Sequence, residues 1–413
     1  VGPSFDPLVA MEEIRPAEPE IPVEAERLEH TPYKNRFGEQ KDIALKEHGG
    51  SAETEAAVAS GLAYLASVQN DAGYWGSRSD RQQKYRQVVV GKTALSLLAF
   101  LGANHTPQSG SQYSDVTARA IDYLLDIQDP RTGHFGDSSS YGHGISTYAL
   151  AEAFALTQDE RLRPPLEKAV KWILQKQVKS MDPKLDGGWG YYFQDADGYE
   201  NDRWPRISVS SWQVMALESA RLGGLEVPDE AFARARRYIR GSVDPRYGWV
   251  RYSHNPSRLS SSYPTLPAST PAGLFAAALV GEDIGGEFYE DAGNFTVERA
   301  PTGYAYKGDD AFVQRAEGNL YFWYYGTLAM FRLGGEPWKK WNESMKNTLL
   351  QAQDEDGSWK PISIYARYAG DDWRDKSYTT AINVLTLEVY YRYFTPLLTV
   401  GPIDDPSEAD QPR

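Results

Sequence analysis

The chain has 413 residues, carries a formal charge of −14 at pH 7 and contains no cysteine. The absence of cysteine excludes disulfides and thiolate metal sites. The acidic balance disfavours nucleic acid and anionic membrane surfaces as partners. No run of about 18 apolar residues occurs, so the sequence predicts no transmembrane segment. We expect no cofactor.

The first 50 residues differ in composition from the rest of the chain. Prolines and glutamates are interleaved through residues 3–32, and such a segment cannot bury enough apolar surface to fold alone. Residues 1–50 are therefore predicted to form an extended arm or linker, and residues 1–30 to be unnecessary for folding. Residues 51–400 are predicted to form one domain, and residues 401–413 a disordered tail.

The chain begins with Val1 rather than with methionine. This start is consistent with trimming, or with removal of an upstream signal or anchor. The second reading would place the protein outside the cytoplasm, in a periplasmic compartment. We take an extracytoplasmic location as the expectation.

A short motif punctuates the sequence at regular intervals. Its two full copies run from Gln69 to Trp75 and from Gln353 to Trp359, each with a glycine two residues before the tryptophan. Weaker copies end at the aromatic residues Phe135, Trp189, Trp249 and Tyr304. Successive copies lie 54 to 60 residues apart, and a period of that length indicates a repeat architecture.

Each interval between motifs contains two helical patterns. The first is apolar almost all round, which is typical of a buried helix, and the second has one charged face, which is typical of an outer helix. The inner patterns span 91–101, 145–156, 209–222, 272–280, 320–333 and 379–393. The outer patterns span 52–69, 115–128, 166–177, 229–240 and 336–353, with a weaker member at 287–297.

Six inner and six outer helices that close on themselves predict an all-α fold, a single α/α toroid with an N-terminal arm. An open solenoid is the alternative. A ring is favoured because it buries the inner helices without polar capping repeats.

The pattern Gln-x-x-x-Gly-x-Trp between helix pairs resembles the prenyltransferase/squalene oxidase repeat of the squalene–hopene cyclase and protein prenyltransferase superfamily. The resemblance covers residues 52–400. It implies that the glutamine ties the end of an outer helix to the next turn while the tryptophan packs alongside. The residues to which it assigns these structural roles are Gln69, Trp75, Trp189, Trp249, Gln353 and Trp359.

The chemistry of that superfamily needs residues that this chain lacks. The cyclases protonate their substrate with an Asp-x-Asp-Asp motif, whereas Asp309-Asp310 and Asp371-Asp372 have no preceding aspartate. The cyclases also use two helical domains, and this chain has length for one. The prenyltransferases bind zinc through a Cys, a His and an Asp, so the lack of cysteine excludes that site. A cyclase-like toroid that binds an apolar or isoprenoid ligand, or a partner protein, is the favoured function.

An enzyme remains the alternative function, either a divergent terpene cyclase or a carbohydrate lyase or hydrolase with paired carboxylates across a cleft. The candidate carboxylates are Asp137, Asp195, Asp310, Asp371 and Asp372. Asp137 and His143 precede and open an inner helix, where they would form an acid/base pair. A helix-capping aspartate with a structurally hydrogen-bonded histidine explains the same two residues.

The insertion at 195–202 is rich in acidic residues. Asp195, Asp197 and Asp202 supply oxygen ligands of the kind that calcium prefers. The spacing does not match an EF-hand loop, and a solvated turn is the favoured interpretation of these residues. We therefore expect no metal.

Aromatic residues concentrate on the inner helical patterns. The candidates for the wall of a central cavity are Trp212, Tyr321, Trp323, Tyr324 and Tyr378. In cyclases of the resembled family such faces stabilise carbocations by cation–π attraction, while ordinary helix packing is the alternative role. An open, aromatic-lined cavity with a buried carboxylate would favour an enzyme, and a plugged centre would favour a scaffold.

Overall fold

A computed structural model describes residues 31–76, 86–136, 140–191, 204–255, 266–362 and 364–392. Within these ranges every regular element is helical, and β-pairing is limited to isolated bridges in the turns. The prediction of an all-α fold is confirmed. The helices are α1 (Gly38–His48), α2 (Ala52–Ser67), α3 (Arg86–Gly102), α4 (Ser114–Asp126), α5 (Ser140–Thr157), α6 (Arg163–Lys176), α7 (Ile207–Leu222), α8 (Asp229–Gly241), α9 (Ser269–Leu279), α10 (Glu290–Val297), α11 (Asp309–Arg315), α12 (Leu320–Leu333), α13 (Gly335–Leu350), α14 (Ile364–Tyr368), α15 (Ser377–Leu387) and α16 (Val389–Arg392).

An inner ring is formed by helices α3, α5, α7, α9, α12 and α15. Each packs against the next one in the chain, and α15 packs against α3, which closes the ring. These helices are buried on nearly all sides because their sequences are dominated by apolar and small residues. The predicted α/α toroid is confirmed by these contacts.

The outer layer consists of helices α2, α4, α6, α8, α10 and α13, which pack between the inner helices. In α8, for example, Phe232, Tyr238 and Ile239 are buried on one face. The segment that the sequence marks as the weakest is the shortest outer helix, α10, preceded by the 3-10 turn Glu287–Tyr289. No described helix is long and apolar enough to cross a bilayer.

Where the motif has a glutamine, the side-chain amide joins its own turn to the next outer helix. The amide of Gln69 donates to the carbonyl of Gly73 at 3.1 Å and to that of Val116, in the first turn of α4, at 2.9 Å. Gln128 and Gln177 make the same pair of bonds to their own glycine turn and to the next outer helix. A backbone carbonyl has two lone pairs and can accept this bond in addition to an intrahelical one, so the amide ties successive repeats together.

The last motif closes the ring on the first repeat. Gln353 donates to Gly357 and, across nearly the whole chain, to the carbonyl of Ala57 in α2, both at 2.9 Å. Gly357 has a φ of 83°, and a Cβ there would lie 2.2 Å from the carbonyl oxygen of Ser60 in α2. Glycine is required here because the backbone is left-handed and the neighbouring helix leaves no room.

The motif tryptophans anchor the preceding outer helix. The indole N–H groups of Trp75, Trp189 and Trp359 donate at 2.8 to 2.9 Å to carbonyls near the ends of α2, α6 and α13. All three rings are completely buried. Each therefore satisfies one carbonyl near a helix end while filling the space between layers.

In the fourth repeat, the buried motif position lies one residue later than the sequence predicts. Val250, not Trp249, is the buried residue that pairs across the turn and whose N–H meets a helix hydroxyl, that of Thr270 at 3.2 Å. Trp75 and Trp189 make the equivalent backbone bonds to Thr93 and Ser210. Trp249 is only half-buried, so this turn carries its aromatic residue one position early.

The end of the ring at the C-termini of the inner helices is filled by the two ends of the described chain. Residues Pro32–Arg36 form a 3-10 helix, followed by α1. The extended arm expected for residues 1–50 is therefore helical in its last part, because its few apolar and basic side chains find partners in the ring. Residues 1–30 and 401–413 lie outside the described residues.

Two buried arginines seal this closed end. Arg36 forms an ion pair with Glu152 of α5 at 3.0 Å and donates to the carbonyl of Leu101 in α3 at 3.0 Å. Arg392 pairs with the same Glu152 at 2.9 Å and with Glu388 at 3.3 Å. All four charged side chains are at most 3% exposed. We call Tyr33, Arg36, Glu152, Glu388 and Arg392 the closed-end cluster.

Candidate functional site

A cavity of about 630 Å³ lies at the opposite end of the ring, between the N-terminal halves of the inner helices. Its wall is mostly apolar and aromatic. The lining residues are Val88, Gly91, Lys92, Leu95, Tyr141, Gly142, Ile145, Tyr191, Ser208, Trp212, Tyr252, Leu266, Ala268, Ser269, Tyr321, Tyr365, Tyr368, Ala369, Tyr378 and Ile382. Volumes of 300 to 1,000 Å³ with apolar walls are typical of small-molecule sites.

Three of the five aromatic residues expected in the cavity wall lie there, namely Trp212, Tyr321 and Tyr378. The other two are packing residues. Tyr324 stacks on the outer face of Trp212 with ring centroids 5.6 Å apart, and Trp323 packs against Tyr304 at 5.8 Å. Successive residues of a helix point about 100° apart, so a run of aromatic residues cannot all face one cavity.

Five further tyrosines in the wall were not singled out from the sequence. They are Tyr141, Tyr191, Tyr252, Tyr365 and Tyr368. Most of them lie in turns or at helix starts rather than inside the strongly apolar patterns. Their common signal is a position shortly before or just inside an inner helix, which the ring places around one mouth.

Several hydroxyls of the wall are bonded to one another or to a backbone carbonyl. Tyr141 and Ser208 are linked through their hydroxyls at 2.6 Å, Tyr191 and Tyr252 at 2.7 Å, and the Tyr321 hydroxyl donates to the carbonyl of Ser208 at 2.9 Å. Burial raises the pKa of Tyr141, Tyr191 and Tyr321 well above the ordinary value. These phenols are therefore neutral at physiological pH.

Lys92 is the charged residue among the described lining residues, and its ammonium is turned toward two carboxylates. Its Nζ lies 2.7 Å from Asp371 and 2.7 Å from Asp375, with the side chain only 2% exposed. Burial by itself would lower the pKa of Lys92, but the two carboxylates raise it above its usual value. The lysine is therefore a charged structural link whose donors already have partners.

Asp371, a candidate carboxylate, caps helix α15. Its oxygens accept hydrogen bonds from the backbone N–H groups of Tyr378 at 3.2 Å and Thr379 at 2.7 Å. Burial raises the pKa of Asp371, and Lys92 opposes that shift. Three donors converge on this carboxylate, which is the pattern of an ionised acceptor rather than of an acid that gives up a proton.

The neighbouring candidate Asp372 faces away from the cavity. Its side chain is exposed and accepts the backbone N–H groups of Arg374 and Asp375, which forms a tight turn. Asp309 is likewise exposed and bonded to the hydroxyl of Tyr306. The side chain of Asp310 lies outside the described residues.

His143 lies inside the helix packing rather than in the cavity wall. Its Nε2 lies 3.2 Å from the carbonyl of Ala169 in α6, and its ring stacks on His134 with centroids 5.0 Å apart. Burial and the neighbouring His134 lower the pKa of His143 well below its usual value. The structural role weighed from the sequence fits this geometry, while its expected partner Asp137 lies outside the described residues.

The proposed calcium ligands Asp195, Asp197 and Asp202 also lie outside the described residues. In the part of the chain that the structure describes, no group of three or more His, Asp or Glu side chains is arranged to bind a metal ion.

No protein-family model matches the chain. A probable squalene–hopene cyclase from Sinorhizobium fredii (strain NBRC 101917 / NGR234) is 26% identical over 228 residues, which cover 49% of this chain and 32% of the cyclase. The chain thus aligns with about a third of the length of this curated relative.

Two solved structures show the same architecture. The α-1,6-mannanase GH76A of Salegentibacter sp. HEL1_6, in complex with α-1,6-mannotriose, aligns with a TM-score of 0.56 and 12% identity over 82% of this chain and 99% of that one. A variant of the type II terpene cyclase MstE from Scytonema, in complex with geranylgeranyl dihydroxybenzoate, aligns with a TM-score of 0.54 and 14% identity over 84% and 98%. At these identities the likeness concerns the fold, and this chain has a terpenoid-cyclase-like α/α-toroid fold.

Proposed function

We propose that this protein binds an apolar small molecule of isoprenoid type in the aromatic cavity and does not protonate it. The observation that carries the proposal is the cavity itself, about 630 Å³ of space walled by aromatic and aliphatic side chains. Binding of an apolar ligand in such a cavity is favourable because it removes apolar surface of the wall and of the ligand from water.

The pairing of the polar groups supports an apolar ligand. The hydroxyls of Tyr141, Tyr191 and Tyr321 are engaged with protein groups, and the ammonium of Lys92 is held by two carboxylates. A ligand with many polar groups would have to break these bonds or leave its own groups without partners, at a cost of about 1–3 kcal/mol for each one.

The relatives favour the same ligand class. The terpene cyclase neighbour is in complex with a ligand that carries a geranylgeranyl chain, and the curated relative is a probable squalene–hopene cyclase. The mannanase neighbour binds a mannose oligosaccharide, which makes carbohydrate the competing class. A partner protein is the third possibility retained from the sequence.

A buried carboxylate next to an aromatic cavity would favour an enzyme, and Asp371 meets that description only in part. Its oxygens are occupied by Lys92 and two backbone N–H groups. An ionised carboxylate can accept a proton but cannot deliver one to an alkene. We therefore expect squalene incubated with the pure protein to be recovered unchanged by mass spectrometry. A cyclised product that disappears in Asp310→Asn would contradict this expectation.

Ligand binding is tested by blocking the cavity from a position that tolerates a side chain. A Cβ on Gly91 would meet only the Cα of Gly142, at 3.8 Å, so its surroundings are open. Gly91→Leu is expected to extend into the cavity without disturbing α3. Ala59→Leu, on the exposed face of α2, is the matched control because it adds apolar bulk far from the cavity.

The measurement is binding of geranylgeraniol, followed by quenching of tryptophan fluorescence, with α-1,6-mannotriose as the parallel ligand. We expect the wild type and Ala59→Leu to bind geranylgeraniol, and Gly91→Leu to bind it at least 10-fold more weakly. Binding of mannotriose alone would replace the isoprenoid class by carbohydrate. Binding of neither ligand would favour a protein partner.

A further inference from the structure

The hydroxyl of Tyr378 in the cavity wall has no hydrogen-bond partner among the described residues, and the buried hydroxyl of Ser269 in the same wall has none either. Tyr378 is 8% exposed and lines the cavity, yet its hydroxyl makes no hydrogen bond with the protein in the part of the chain that the structure describes. The hydroxyls of Tyr141, Tyr191, Tyr252 and Tyr321 are engaged with protein groups. A buried polar group without a partner is costly, and such groups mark places where a ligand or water completes the bonding.

The backbone that carries this hydroxyl is also held in place. Tyr378 lies in the first turn of α15, and its backbone N–H donates to the Asp371 carboxylate at 3.2 Å. That carboxylate is fixed in turn by Lys92 at 2.7 Å. A group held this way loses little conformational entropy when it binds a ligand atom.

The protonation state of Tyr378 defines what it can recognise. Burial and the nearby charge of Asp371 both raise the pKa of this phenol. The neutral hydroxyl donates one hydrogen bond, and the negative charge of Asp371 disfavours an anionic group close to it. The matching ligand atom is a neutral oxygen that accepts a hydrogen bond.

We propose that Tyr378 is the polar anchor of the cavity and that the ligand is an apolar molecule with one neutral oxygen, such as an isoprenoid alcohol or carbonyl compound. This inference rests on the proposed function and narrows it: a pure hydrocarbon would leave the Tyr378 hydroxyl without a partner. The aromatic wall would take the hydrocarbon part, and Tyr378 would fix which end of the ligand lies beside α15.

The test compares geranylgeraniol with the same hydrocarbon chain ending in a methyl group. Tyr378→Phe removes only the hydroxyl, so we expect it to weaken alcohol binding by about 3- to 10-fold, the value of one hydrogen bond, and to leave hydrocarbon binding unchanged. Tyr390→Phe is the control, since that hydroxyl is bonded to Asn342 at 2.7 Å outside the cavity. It should change neither affinity, and melting curves would verify that both variants are folded.

The outcomes separate the two proposals. If both ligands bind the wild type and Tyr378→Phe weakens them equally, or weakens neither, the anchor is wrong while the apolar site stands. If neither ligand binds the folded wild type, the proposed function and the anchor are both wrong. Selective loss of alcohol affinity supports both.

Discussion

The two ends of the inner ring differ in how their centre is packed. At the N-terminal end, aromatic side chains surround open space, and the charged Lys92 of the wall is paired with Asp371. At the C-terminal end, the closed-end cluster fills the ring completely with ion pairs centred on Glu152. Whether the centre of the ring is open is therefore determined by the side chains at each end and not by the arrangement of the helices.

The helix dipoles explain which charges are found at which end. Inner-helix N-termini carry partial positive charge and C-termini partial negative charge. Accordingly, Asp371 accepts N–H groups from the first turn of α15 at the open end. At the closed end Arg36 and Arg392 donate to the carbonyls of Leu101 and Leu98, in the last turns of α3. Asp371, Arg36 and Arg392 each bond to backbone groups at a helix end and also pair with an oppositely charged side chain.

Loss of Trp359 would disrupt the ring at the junction between its last and first repeats. Its ring is fully buried between the last repeat and α2, and it bonds the carbonyl of Leu349. Trp359→Ala should lower the free energy of unfolding by roughly 3–5 kcal/mol, as expected for a large core truncation. Denaturant unfolding measures this, with the exposed Trp373→Ala as the control. Equal stability of the two variants would contradict a structural role for the motif tryptophan.

Loss of Arg392 would affect the closed end alone. Arg392→Met keeps most of the packing volume but leaves the buried charge of Glu152 with one fewer counter-ion. We expect a destabilisation of about 3 kcal/mol, because removal of one partner leaves a buried charge uncompensated. Arg161→Met, on the surface, should change stability by less than about 0.5 kcal/mol. Geranylgeraniol binding by the folded fraction should be unchanged, and its loss would show that the two ends are coupled.

A pH titration of stability would test the closed end separately, through Glu388. Burial raises the pKa of Glu388 to about 8, an effect that Arg392 only partly opposes. Glu388 therefore stays protonated in the folded protein over a range where it is ionised in the unfolded chain. Its contribution to stability is present below the unfolded pKa, near 4.5, and is lost as pH rises toward 8, by at most about 1.4 kcal/mol per pH unit.

Glu388→Gln should flatten this decrease in melting temperature between pH 5 and 8. The remaining slope would include Glu218, whose pKa burial raises to about 7. Buried histidines such as His143, whose pKa is lowered, contribute a slope of opposite sign, so the two proteins must be compared at each pH. A difference in melting temperature, wild type minus Glu388→Gln, that does not decrease from pH 5 to 8 would show that Glu388 is ionised in the folded state.

The fold was predictable from the sequence because the motif spacing and the helical patterns repeat many times. Each helix pair is a local pattern, and the ring follows from burying the apolar helices. The register at Trp249 was not predictable, since the residue that fills the buried position there is Val250, a small aliphatic side chain without the motif's signature.

The two ends were less predictable because they depend on contacts between distant residues. Arg36, Glu152 and Arg392 lie far apart in the sequence, and charged residues are normally read as surface groups. The cavity wall was predicted in part, since Trp212, Tyr321 and Tyr378 lie on inner helices. The direction in which Trp323 or Tyr324 faces depends on helix rotation, which composition does not give.

The bond from Gln353 to Ala57 makes the junction between the last and first repeats equivalent to the other junctions. The architecture of the ring therefore does not depend on where along it the chain begins and ends. A circular permutant that joins α15 to α2 through a linker and opens the chain in the exposed turn between α5 and α6 would retain every motif bond. It would also omit residues 32–48 and Arg392 from the closed end, and the cavity could then be studied in a toroid without that seal.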